Sequence, residues 1–147
     1  MPTIFATILF LTLLSGAPGA DLRAESGQRD EGVNRLVDAK DRLMAFYNPD
    51  SGKWEGAEWW QQPVTLETLI HFAGKVKGDP QDIAALARQV FEKNKSNKFI
   101  NDYFDDSAWW ALCWLSAYEW TGETRYLEAA KVIFGHLSGK GWNTASC

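Results

Sequence analysis

A tryptophan pair occurs twice in this chain, as Trp59-Trp60 and Trp109-Trp110, and each pair opens an apolar helical stretch. Both stretches run into a glycine followed by an acidic residue, Gly78-Asp79 and Gly122-Glu123. Each break then feeds an amphipathic segment that carries a phenylalanine near its end, Phe91 and Phe134. A matched order of this kind marks an internal repeat. The repeating unit is a helical hairpin with an inner, mostly buried helix and an outer, one-sided helix. Such units cannot cover their apolar faces alone. They stack into a solenoid or close into a toroid. The fold class is therefore all-α.

The local signals agree. Val33, Leu36, Val37, Leu43, Met44 and Tyr47 recur at helical spacing. The run Asn48-Pro49-Asp50-Ser51-Gly52 then breaks the chain with turn residues. Leu66, Leu69, Ile70 and Ala73 form the stripe of the next helix, with Pro63 in its first turn, where the missing N–H has no helical partner. Gly78 suits a helix end, Asp79 an N-cap and Pro80 a first helical position. Ile83, Leu86, Ala87, Val90 and Phe91 carry the third stripe, ahead of a polar loop at 94–97. The fourth helix, from about Asp105-Asp106 through Tyr118, is apolar nearly all round. The fifth shows Leu127, Ala130, Ile133, Phe134 and Leu137. No run of alternating β-branched residues signals a strand.

Residues 1–20 carry no charged side chain, and an apolar run from Ile4 to Leu14 is followed by small residues. That run is shorter than the roughly 20 residues needed to span a bilayer and has the form of a secretory leader. The leader would place the protein outside the cell. Residues 21–147 would then be the working part, with a polar, loose start from Asp21 to about Asp30. The net charge of −4 gives no basic face for nucleic acid. The two cysteines, Cys113 and Cys147, and the distant His71 and His136 make no zinc spacing. In its apolar setting Cys113 reads as a small buried hydrophobe or as a disulfide partner of Cys147. Asn94-Lys95-Ser96 matches a glycosylation acceptor.

The densest polar and aromatic cluster runs from Asn101 to Trp110. Asp105 and Asp106 are adjacent at the start of the most apolar helix. Neighbouring carboxylates repel, while a helix N-terminus favours an anion. A pair split in this way can supply a charged nucleophile and a protonated acid. Retaining glycoside hydrolysis uses two carboxyl groups about 5–5.5 Å apart, and adjacent helical positions, roughly 100° apart, reach that range. Indole rings beside them can stack on sugar faces. The same residues also read as an N-cap with its helper, beside core tryptophans.

The stretch from Phe99 to Leu112, with its Asn101-Asp102-Tyr103-Phe104-Asp105-Asp106 and Trp109-Trp110, resembles the active-site segment of glycoside hydrolase family 76, the α-1,6-mannanases and related fungal cell-wall proteins. Further matches follow in order: Tyr47-Asn48-Pro49 with Gly52 and Trp54, Trp59-Trp60-Gln61, Phe91 to Lys95, Thr121-Gly122-Glu123 with Arg125-Tyr126-Leu127, and Gly141-Trp142. Ser107-Ala108 replaces the family's Glu-Gly, and Pro63-Val64 replaces a small polar stretch.

The resemblance implies an (α/α)6 toroid, a ring of inner helices inside a ring of outer ones. It implies retaining endo-hydrolysis of α-1,6-mannan, with Asp105 as nucleophile and Asp106 as general acid/base. Asp102, Tyr103, Trp59, Trp60, Trp109 and Trp110 would line the cleft. No metal or cofactor is implied. The partner is a mannan polysaccharide, and the location is secreted, with cell-wall association open. A mannan transglycosidase, or a non-catalytic sugar-binding remnant, are the alternatives. An epimerase on the same toroid would need a histidine-rich site, which is missing. About five helical segments fit in the 147 residues, fewer than a closed toroid takes. The chain therefore reads as the N-terminal, truncated arc of such a domain. An open arc leaves the helix at Trp109 to Tyr118 uncovered on one side, which predicts exposed apolar surface and little turnover by the chain alone.

Overall fold

The computed structural model describes residues 19–76 and 80–140. The chain divides into two units, residues 1–32 and 33–147. The elements in order are helix α1 (Gly19–Met44), strands β1 (Tyr47–Asn48) and β2 (Lys53–Trp54), and helices α2 (Gln61–Lys75), α3 (Pro80–Asn94), α4 (Phe104–Thr121) and α5 (Thr124–Lys140). A single 3-10 turn, Lys95–Asn97, follows α3. The fold is all-α apart from the short hairpin. Among the described residues no helix is long and apolar enough to cross a membrane.

Of the expected leader, only Gly19 and Ala20 fall within the described residues, and they open α1. The loose segment expected from Asp21 to Asp30 is helical instead. Leu22, Arg23, Ala24, Glu25, Gln28 and Arg29 are good helix formers, and Gly27 costs only about 1 kcal/mol against them. The expected stripe of α1 is only partly covered: Val33 and Leu36 are exposed, while Leu43 and Met44 pack on the core. The expected cap at Gly78-Asp79 lies outside the described residues, but α3 does start at Pro80.

Tyr47 leaves the helical pattern and pairs with Trp54 across an antiparallel ribbon, with Asn48 opposite Lys53. Two residues per strand carry no alternation, so nothing in the pattern announces this hairpin. Side-chain amides hold it instead. Buried Gln62 on α2 donates to the Trp54 and Ala57 carbonyls at 3.0 and 2.8 Å and accepts the Trp54 N–H at 2.8 Å. Buried Asn94 on α3 donates to the Gly52 carbonyl at 3.0 Å and to the Val90 carbonyl at 2.9 Å. The Asn94 amide is thus doubly used and enclosed, so in the folded chain this acceptor sequence has no free nitrogen to take a glycan. Gly52 has φ +67°, and a Cβ built there would lie 2.7 Å from Lys93 Cβ. Gly52→Ala is expected to destabilise the chain by about 1–3 kcal/mol through strain and this clash. Urea unfolding followed by circular dichroism measures it, and an unchanged midpoint would refute the argument.

The helices pair as hairpins, with α2 against α3 and α4 against α5, and α2 packs on α4. Trp59 meets Trp110 with ring centroids 5.3 Å apart, and Glu67 Oε1 accepts the Ser116 hydroxyl at 2.7 Å. Contacts that advance together along both helices mean that α2 and α4 run in the same direction, as tandem hairpins require. Gly122, at φ +72°, ends α4 and gives its N–H to the Tyr118 carbonyl at 2.8 Å. Arg88 pairs with Glu123 at 2.7 Å and Arg125 with Glu92 at 3.2 Å, tying α3 to the α4–α5 corner.

The centre of the core is aromatic. Trp114 is fully buried and stacks on Tyr126 at 5.3 Å with rings nearly parallel, 4° apart. Phe99, Phe91 and Trp110 surround it at 4.9, 5.1 and 5.5 Å. Burial pushes the Tyr126 phenol up to about 12. Among the described residues Cys113 is free and buried, as a small hydrophobe would be, and burial pushes its thiol well above the ordinary range; Cys147, its alternative disulfide partner, lies outside the described residues. Among the described residues the other side of α4 is uncovered: Trp109, Leu112 and Leu115 are exposed, and Leu112 and Leu115 line an apolar hollow of about 370 Å³ with Phe134 of α5.

Candidate active site

Helix α4 starts from Tyr103 in extended backbone, with no side-chain cap, and Asp105 and Asp106 fall in its first turn. Neither aspartate occupies the capping position, so the capping alternative does not describe them. Both carboxylates benefit from the helix N-terminus, an effect of about 0.3–1 kcal/mol at exposed sites.

The loop before α4 is set by the core. Lys98 and Phe99 both have left-handed backbone, φ 58° and 61°. A bulky residue avoids that region, at a cost of about 1–3 kcal/mol. Burial of the Phe99 ring among Phe91, Trp110 and Trp114 offsets it. The Asn97 side chain accepts the Phe99 N–H at 3.0 Å and so closes the turn.

Beyond that turn the backbone is latched to α4. The Ser107 hydroxyl is buried and accepts the Asn101 N–H at 3.2 Å. It also lies 3.2 Å from Asn101 Oδ1 and 3.1 Å from the Tyr103 carbonyl, both acceptors for its proton. Asn101 Oδ1 accepts the Tyr103 N–H at 3.0 Å, and Asn101 Nδ2 donates to Asp106 Oδ2 at 2.8 Å. Asp106 is half-buried and held by that bond. Asp105 is exposed and has no hydrogen bond or ion pair among the described residues.

The other expected site residues are not all alike. Asp102 and Tyr103 are exposed, Tyr103 at 68%. Trp109 presents 41% of its surface and lies one turn beyond Asp105 along α4. Trp110, only 1% exposed, is enclosed in the core and offers no face to solvent. Trp59 is half-buried against it. Trp60 is 38% exposed, gives its indole N–H to Glu58 at 3.0 Å, and lines a separate hollow of about 480 Å³ with Phe46 and Leu43. Thus Asp102 and Tyr103 precede α4, Asp105 and Asp106 stand in its first turn, and Trp109 follows one turn on. Trp59 and Trp110 buttress that start, and Trp60 stands apart from it. The sequence pattern alone assigns Asn101 and Ser107 no role in the site. Helical periodicity could not find Asn101, because it lies in a loop.

The described residues thus form an array of helical hairpins with two adjacent carboxylates in the first turn of α4. The chain belongs to glycosyl hydrolase family 76, whose family model matches residues 34–147. No curated protein and no solved structure matches it. At the level of the family the chemistry is glycoside hydrolysis, and the substrate class is polysaccharide.

Proposed function

We propose that these hairpins are the N-terminal arc of a secreted hydrolase that cleaves α-1,6-mannan internally with retention. The observation that carries this reading is the first turn of α4, where two adjacent carboxylates cap nothing and differ in how they are held. Asp105 is open to attack an anomeric carbon, and Asp106 sits beside it as the proton carrier. In the first step Asp105 bonds to the anomeric carbon as the glycosidic C–O bond breaks, and Asp106 gives its proton to the departing oxygen. In the second, water attacks the same carbon, its proton passes to Asp106, and the ester to Asp105 breaks. Tyr103, Asp102 and Trp109 line the sugar path, with Trp60 farther along it. Trp59 and Trp110 hold the helix starts in place. Residues 1–20, as a leader, belong to the same proposal.

A second reading draws on the bare face of Leu112, Leu115 and Phe134. An uncovered inner helix gives the chain alone an incomplete cleft, so by itself it holds mannan weakly or not at all. The alternative of mannan transglycosidation differs only in whether water or a sugar hydroxyl takes the glycosyl group. Proton NMR of early digests separates these outcomes. The parent protein is expected to release the α-anomer first, with the 147-residue chain giving little or no turnover. Release of the β-anomer first would refute retention, and rapid turnover by the chain alone would refute the open-arc reading.

A further inference from the structure

We infer that Asn101 is a positioning residue that leaves Asp106 a single working oxygen, Oδ1. The inference rests on the reading of Asp106 as acid/base. Asn101 cannot turn its amide over, because Oδ1 already accepts the Tyr103 N–H at 3.0 Å. A flip would set Nδ2 against that N–H, donor facing donor. The Ser107 hydroxyl, 3.2 Å from both the Asn101 N–H and Oδ1, fixes the same residue through its backbone. The amide nitrogen therefore points at Asp106, and its 2.8 Å bond to Oδ2 makes that oxygen an acceptor. A proton bound to Asp106 then sits on Oδ1. The transfer runs from Oδ1 to the glycosidic oxygen as the C–O bond breaks, and the proton of the attacking water returns to Oδ1. Among the described residues Asp105 has no such holder, which suits a nucleophile that must reach the anomeric carbon. The two carboxylates are thus told apart by one amide. Asn101 touches no substrate atom in this scheme.

The test begins with the 147-residue chain, ¹⁵N-labelled, and needs no turnover. Asp106→Ala is expected to move the Asn101 side-chain amide signals and to speed their hydrogen exchange about tenfold. Asp105→Ala is expected to leave both unchanged. Unaltered Asn101 signals in Asp106→Ala, or an equal response in Asp105→Ala, would overturn the inference. A kinetic arm in the parent protein separates positioning from simple loss of loop structure. Asn101→Ala is expected to lower kcat on mannan about 10–100-fold with KM within about twofold, and to spare a mannoside whose leaving group needs no proton. Equal losses on both substrates would mean a structural role only. If the parent turns over no mannan, the functional reading fails, and the amide signals still decide whether Asn101 holds Asp106.

Discussion

Asp105→Ala is expected to lower mannan hydrolysis by the proposed hydrolase about 10⁴-fold or more, with the fold intact. Asp105 is exposed and unpartnered among the described residues, so its removal leaves no buried group stranded. The loss would reflect the missing covalent step, and nucleophile deletions cost on that order. Asp106→Ala is expected to differ in kind. It should cripple cleavage of mannan yet retain much activity toward a mannoside with an activated leaving group, which needs no acid. Added azide sharpens the contrast. In Asp105→Ala it would take the place of the carboxylate and give the inverted glycosyl azide. In Asp106→Ala it would intercept the glycosyl-enzyme and give the retained one. A retained azide from Asp105→Ala would exchange the two roles, and full activity in either variant would remove that residue from the chemistry.

The largest stability effect is expected at Trp114. Its indole is fully buried, stacked on Tyr126 and edged by Phe99 and Phe91. Trp114→Ala leaves a cavity at the meeting point of α3, α4 and α5 and should cost about 3–5 kcal/mol. A domain of this size is stable by about 5–15 kcal/mol, so the loss takes a large share of the total. Trp114→Phe should cost less, because the indole N–H it deletes has no hydrogen-bond acceptor among the described residues and the ring contacts largely survive. Urea unfolding followed by near- and far-ultraviolet circular dichroism measures both. A loss below about 1 kcal/mol for Trp114→Ala would show that the aromatic cluster does not hold the hairpins together.

Helices and their breaks were readable because each rests on local chemistry. Gly122 takes the left-handed position and Pro80 the first helical one, and the leucine stripes of α2 and α3 are buried. The repeat was readable because both hairpins reuse one order of residues. What local chemistry does not determine was missed. The Tyr47–Trp54 ribbon is held by Gln62, Gln89 and Asn94, side chains far away in sequence. Adjacent tryptophans lie about 100° apart on a helix, so only the position of α2 decides that Trp110 faces in and Trp109 faces out. The aspartate pair was legible as two adjacent carboxylates at a helix start. Its asymmetry was not, because the holder, Asn101, is brought in by a loop whose course depends on a phenylalanine in a conformation that phenylalanine rarely adopts.

That phenylalanine has a consequence for how substitutions in this family member would register. Phe99 keeps its left-handed backbone only while its ring is gripped by Phe91, Trp110 and Trp114. Loosening that grip is expected to relax the turn and draw Asn101 away from Asp106. Residues that never approach a sugar, Phe91 and Tyr126 among them, would then show up in a screen for activity as though they belonged to the cleft.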